Sequence, residues 1–325
     1  MENIKNTLNI AKWQILSRLP KGSIYERTLE TLKNKDIDIN DPFYYIYWKD
    51  LDRTILEKYL FGTFGTSNED YLMFITWMER FRNNEFYEIK IDNNVIKIPV
   101  PLLKDYKCFK AEFLDIIMPY LVKNIKMKQP FLEGPYEYGN VIINDNDVVF
   151  DLGANYGLFS SLASSKNCNV YAFEPTKRVV NEYLKKIEAI DNNINVINKA
   201  ISDTSGVSLF QVYEDKSSCN SLCDSNYKVS NESNVYNVET ITIDDFVSER
   251  NLGDVDFIKA DIEGAERRML IGAKKTLKEL APKLAICYYH NLDDLKVLRK
   301  LILDANPKYE IDVAYKKIYA RVPGK

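Results

Sequence analysis

The residues best suited to chemistry fall into three groups in the second half of the chain. The first is a turn, Asp151-Leu152-Gly153-Ala154-Asn155-Tyr156-Gly157. Glycine lets a backbone come close to a ligand, and the free N–H groups that open a helix can receive an anion. The second is Glu174 with Pro175, about 20 residues beyond the first glycine. A carboxylate at that spacing can accept both hydroxyls of a ribose. The third is Lys259-Ala260-Asp261-Ile262-Glu263-Gly264-Ala265-Glu266, followed downstream by His290, the single histidine. Asp261 and Glu263 can bind a hydroxyl or take its proton. An imidazole with its ordinary pKa near ~6.5 is a natural general base. Glu263 and Glu266 equally suit the first turn of a helix, whose dipole favours acids.

These groups need a scaffold, and the sequence supplies one. Val148-Val149-Phe150 leads into the turn as an apolar run with a β-branched bias, which reads as a strand buried on both faces. Leu158, Phe159 and Leu162 then fall at helical spacing. Further strands are expected at 169–174, 194–198, 256–260, 284–289, 309–313 and 318–322, with helices at 176–190, 264–280 and 292–303. This alternation predicts an α/β, doubly wound, Rossmann-like sheet of seven strands whose last two form an antiparallel hairpin. Ligands of such sheets lie beyond the carboxyl ends of the strands, where Gly153, Glu174, Asp261 and His290 all fall.

The first third reads differently. Residues 1–130 are expected to be a mainly helical region and 131–325 the site-bearing domain, joined near Glu133-Gly134-Pro135. Capping signals precede helices expected at 43–60 and 71–82. Tyr44, Tyr45, Tyr47 and Trp48 suit core packing before a sugar-stacking or partner surface. Ile89, Ile91, Ile96 and Ile98 alternate with polar residues over 86–99, a hairpin pattern. Phe109, Phe113, Ile116 and Ile117 mark a helix that stops or kinks near Pro119. The polar stretch 214–234 reads as a loop able to fold over an acceptor.

The three motifs in this order, Asp-Leu-Gly-Ala-Asn-Tyr-Gly, Phe173-Glu174-Pro175 and Lys-Ala-Asp-Ile-Glu-Gly-Ala-Glu, resemble the FkbM family of S-adenosylmethionine (SAM)-dependent methyltransferases. The segment Thr240-Ile241-Thr242-Ile243-Asp244-Asp245-Phe246 and His290 fit the same pattern. The resemblance covers about residues 131–325 and leaves the N-terminal third unexplained. Ala260 departs from the family's Lys-Ile-Asp core. Asn155 stands where the SAM turn has its middle glycine, a mild exchange because Asn tolerates left-handed backbone. The resemblance implies SAM as cofactor and O-methylation of a hydroxyl on a sugar or secondary-metabolite-like acceptor. It places Asp151, Gly153, Ala154, Asn155 and Gly157 at the methionyl end of SAM. Glu174 and Pro175 go to the ribose, and Ala200 and Ile201 beside the adenine. Asp261 lies between cofactor and acceptor, with His290, Asp261 and Glu263 as the catalytic set and His290 the preferred base.

Composition narrows the field further. The 325 residues are 46% hydrophobic and 28% charged, with a formal net charge of −3. No basic footprint points to nucleic acid. No apolar run approaches the ~20 residues of a membrane span. Five cysteines, an odd number, fit free thiols in the cytoplasm. Cys219 and Cys223 lack the second pair a zinc site needs, so no metal is assigned. The expected partners are a small-molecule or glycan acceptor, and a second copy or another protein through the N-terminal region. Two other readings stay open. Glu174 permits a nicotinamide-dependent oxidoreductase, which Asn155 disfavours. A non-catalytic nucleotide-binding or assembly module would bind the cofactor without transferring a methyl group.

Overall fold

The structure, a computed structural model, describes residues 85–91, 94–102, 105–117, 120, 135–213, 220–222 and 233–325. The helices expected before residue 85, Glu133-Gly134, Cys219, Cys223 and most of 214–234 lie outside the described residues. Tyr87–Tyr120 and Pro130–Lys325 cluster as one compact unit. Residues 87–120, which the sequence groups with the N-terminal region, therefore belong with the sheet.

The hairpin strands are β1 (Phe86–Ile91) and β2 (Asn94–Pro99), followed by helix α1 (Tyr106–Ile116). The first motif sits between β3 (Val148–Leu152) and α2 (Leu158–Ser164). Next come β4 (Asn169–Phe173), α3 (Lys177–Val179), a π-helical turn (Val180–Leu184), α4 (Lys185–Ile190) and β5 (Ile194–Ile197). Then follow β6 (Ala200–Ile201), β7 (Gly206–Tyr213), β8 (Ser221–Leu222), β9 (Ser233–Ile241) and α5 (Ile243–Glu249). The chain continues through β10 (Phe257–Ala260), α6 (Glu266–Ile271), α7 (Lys274–Glu279) and β11 (Lys283–Cys287). It closes with α8 (Asp294–Ala305), β12 (Glu310–Ala314) and β13 (Lys317–Arg321).

Seven strands form the central sheet in the order β12-β13-β11-β10-β3-β4-β5. β11, β10, β3, β4 and β5 run parallel, and β13 pairs antiparallel with both β11 and β12. This is the doubly wound sheet with a terminal hairpin that the sequence predicts. Alternate strand residues point to opposite faces. Phe150 and Leu152 enter a core with Phe246 of α5, Met269 of α6, Leu277 of α7 and Leu298 of α8. On the other face Asp151 meets Ser160 of α2, a helix buried along its whole length. The hairpin has one apolar face of its own, including Ile96 and Ile98, both fully buried. It packs that face on α2 and α4, which is why it cannot be separated from the sheet.

A second, four-stranded sheet in the order β6-β9-β7-β8 was not expected. β8 falls inside the stretch read as a loop. The miss has a physical cause. Val207 and Leu209 of β7 are 66% and 54% exposed, so the usual correspondence of apolar with buried does not mark this strand. The helix expected at 264–280 is also two, α6 and α7, which meet at Gly272.

Candidate active site

The turn after β3 is left-handed at Gly153 (φ 76°), Asn155 (φ 42°) and Gly157 (φ 79°), the backbone that glycine and asparagine favour. Gly153 is required for a second reason. A Cβ there would sit 2.0 Å from the carbonyl oxygen of Asp261, so the turn can rest against the end of β10 only without a side chain. The N–H groups of Gly153 and Ala154 both donate to the Phe173 carbonyl, at 3.0 and 2.9 Å. At Gly157 a Cβ would come within 2.4 Å of Ile187, so this glycine serves the packing of α2 against α4.

Glu174 follows β4 and is 7% exposed. Its Oε2 accepts from the Asn155 N–H at 3.2 Å and its Oε1 from the Thr176 N–H at 2.8 Å. Burial raises its pKa, against the pull of those donors. Asp151 has no exposed surface. It lies 2.9 Å from the Lys259 ammonium and accepts from Ser160 at 2.6 Å. Lys259 also donates to the carbonyls of Leu152 and Gly153, at 3.2 and 2.7 Å. One buried ion pair thus ties the turn to β10.

A cavity of about 380 Å³ opens at the carboxyl ends of β3, β4 and β10, within the size range of small-molecule sites. Gly153, Asn155, Glu174, Pro175, Ala200, Ile201, Asp261 and Glu263 all line it. Asp151, Ala154, Gly157 and His290 do not. The methionyl contact expected of Asp151 is therefore not made by a cavity-facing group, because Lys259 takes up its charge inside the fold. Phe210, Asn220 and Leu222 of the second sheet close one side. Tyr136, Tyr289 and the α1 residues Cys108, Glu112, Asp115 and Ile116 also line the cavity, as do two cations, Lys199 and Lys259.

At the end of β10, Asp261 accepts from the hydroxyls of Tyr136 (2.8 Å) and Tyr289 (3.1 Å). Burial alone would raise its pKa, but Lys259, His290 and Lys317 bring it below the ordinary carboxylate value. Glu263 holds a left-handed backbone, φ 53°, and burial raises its pKa. His290 Nε2 stands 3.4 Å from Glu263 and 3.7 Å from Asp261, while Nδ1 stands 3.2 Å from the fully buried Glu266. Burial would depress the imidazole, but Glu263 and Glu266 outweigh it and raise its pKa to about 11. That shift favours the imidazolium at neutral pH, whereas the base role expected of His290 needs the neutral ring with its lone pair. One atom each from Asp261, Glu263 and His290 lies within 4.8 Å of the others. That spacing suits a cation, and the imidazolium already supplies the positive charge.

The wall residues that sequence reasoning missed include Glu112, Tyr136 and Tyr289. Glu112 left a signal. It is a carboxylate at i+3 from Phe109 on the face also marked by Phe113 and Ile116, a place where an acid needs a reason. The tyrosines left none, since many of the 22 tyrosines are equally apolar in setting.

Comparison with known proteins gives a consistent result. The methyltransferase FkbM domain model matches residues 151–309. Hexuronic acid methyltransferase AglP of Haloferax volcanii is 26% identical over 167 residues, 51% of this chain and 66% of that protein. The crystal structure of methyltransferase FkbM from Methylobacillus flagellatus KT aligns with a TM-score of 0.44 and 18% identity. That alignment covers 84% of this chain and 63% of that one. The chain thus spans less than two thirds of either relative. The matched segment, just under half of the chain, holds the left-handed turn, Glu174 and the acids at the end of β10, and it is this segment that is similar to the methyltransferase FkbM domain.

Proposed function

We propose that this protein is a SAM-dependent methyltransferase that methylates a hydroxyl on a sugar or secondary-metabolite-like acceptor. The observation that carries this reading is the cavity, in which the turn, Glu174 and the Asp261–Glu263 pair meet. The nicotinamide reading gives way to the match of 151–309 with the methyltransferase FkbM domain. The SAM-binding body comprises 130–325 together with 87–120. A cytoplasmic setting is part of this proposal, in keeping with the odd number of cysteines. Among the described residues no helix is long and apolar enough to cross a membrane.

The residues fit such a cofactor. Glu174 has buried oxygens at the distance along the chain where a ribose is held. Ala200 and Ile201 give an apolar edge for a base. The five acids that line the cavity outnumber its two lysines, Lys199 and Lys259, which suits a cationic ligand. SAM, when bound, supplies a methyl group on a sulfonium for transfer to an oxygen. The protein's part is mainly positioning. Glu263 takes the acceptor's hydroxyl proton, since a buried carboxylate with a raised pKa is the better base. Asp261, kept ionised, orients the hydroxyl. His290 is the counter-cation that holds both carboxylates in place.

The test is transfer of a labelled methyl group from SAM to a panel of hexuronic acids, neutral sugars and polyketide alcohols. The expected result is O-methylation in one of these classes. Cofactor binding with no transfer to any of them would favour a binding module instead.

A further inference from the structure

With Asp151 neutralised inside the fold, a different acid faces the cavity across the turn. Glu112 of α1 lines the wall, and its Oε2 accepts from the Asn155 side-chain amide at 3.4 Å. Its charged surroundings are mixed. Asp151, Asp261 and Glu174 act on it as like charges, opposed by Lys259, whose ammonium is already 2.9 Å from Asp151. Burial, reinforced by those carboxylates, holds the Glu112 pKa well above the ordinary range. The other cavity acids are better compensated. Asp261 has two tyrosine hydroxyls and three nearby cations. Glu174 has the N–H groups of Thr176 and Asn155.

Glu112 is also firmly placed. Asp105, at the N-cap position of α1 and 4% exposed, accepts from both terminal guanidinium nitrogens of Arg178 at 2.9 and 3.0 Å and from the Tyr183 hydroxyl. Phe109 packs edge-on against Tyr156 of the turn at 5.6 Å. α1 is thereby fastened to the turn and to the helix after β4, although it lies outside the segment matched by the family, 151–309. A partly buried carboxylate on the cavity wall, held by Asn155 and with no ion pair of its own among the described residues, suits a ligand that brings a positive charge.

We propose that Glu112 anchors the α-ammonium group of the cofactor's methionyl chain, the role the sequence assigns to Asp151. The inference rests on the SAM reading. It makes α1 part of the cofactor site and leaves the Asp261–Glu263 side to the acceptor.

The experiment is calorimetry on the full chain, wild type and Glu112→Gln, with SAM, S-adenosylhomocysteine and 5′-methylthioadenosine. The last ligand keeps the nucleoside and lacks the ammonium. Glutamine preserves the size of the side chain and its hydrogen bond to Asn155. The variant is expected to bind SAM and S-adenosylhomocysteine at least about tenfold more weakly, with 5′-methylthioadenosine unchanged. Glu112→Asp, which retains the charge, should recover part of the loss, and it stands in if the glutamine variant does not fold. Equal affinity of wild type and variant for S-adenosylhomocysteine overturns the assignment. So does an equal loss for 5′-methylthioadenosine, which would make Glu112 a matter of shape. Wild type that binds none of the three removes the SAM reading itself, a result distinct from binding that ignores Glu112.

Discussion

At the scale of single residues, the site turns on how charge is distributed among Asp261, Glu263, Glu266 and His290. If Glu263 removes the proton, Glu263→Gln should lower kcat by about 10²–10⁴ while cofactor affinity stays near that of wild type. A kcat within threefold of wild type would reassign the base. His290 has a different signature. Its pKa rises from 6.5 to about 11 on folding. Its stabilising contribution is therefore complete below about pH 6.5 and fades as pH climbs toward 11. The Tm deficit of His290→Gln should be largest in mild acid and should shrink through that window. A deficit that does not vary with pH contradicts an imidazolium held among carboxylates. Glu174, Asp261 and Glu263 were legible in the sequence because an acid at the end of a parallel strand faces the ligand side of the sheet. The buried place of Asp151 was not legible, because sequence order cannot reveal that Lys259, on a neighbouring strand, lies beside it. Glu112 was hidden for the same reason. Nothing local tells which cavity a helix face will meet.

At the scale of elements, the turn, β3 and β10 act as one piece. β3 and β10 pair in parallel, with Asp151 opposite Lys259 in register. Their ion pair is almost completely buried, with side chains 0% and 2% exposed. Removing one partner of a buried pair strands the other charge, at a cost of about 3–5 kcal/mol. Lys259→Met should therefore lower unfolding free energy by about that amount in urea titrations and also weaken cofactor binding, because the Gly153 carbonyl loses its donor. A loss below about 1 kcal/mol, the level of an exposed pair, would show that this bridge does not organise the turn. The seven-strand sheet was legible because its strands are continuous apolar runs separated by helical periods. The second sheet was not, because its apolar outer face breaks that link.

At the scale of the whole compact unit, four separate parts of the chain converge on one cavity. They are α1, the turn with the end of β4, the second sheet and the end of β10. The family match covers the last three and omits the first. The central claim is that the cavity holds the nucleoside of SAM with its ribose on Glu174 and its amino-acid end toward α1. The most direct measurement is a crystal structure of the protein grown with S-adenosylhomocysteine. The expected result is density for the ligand in this cavity, both ribose hydroxyls on the Glu174 carboxylate and the sulfur facing Asp261 and Glu263. Density for the ligand elsewhere, or a folded protein that takes up none at saturating concentration, contradicts it.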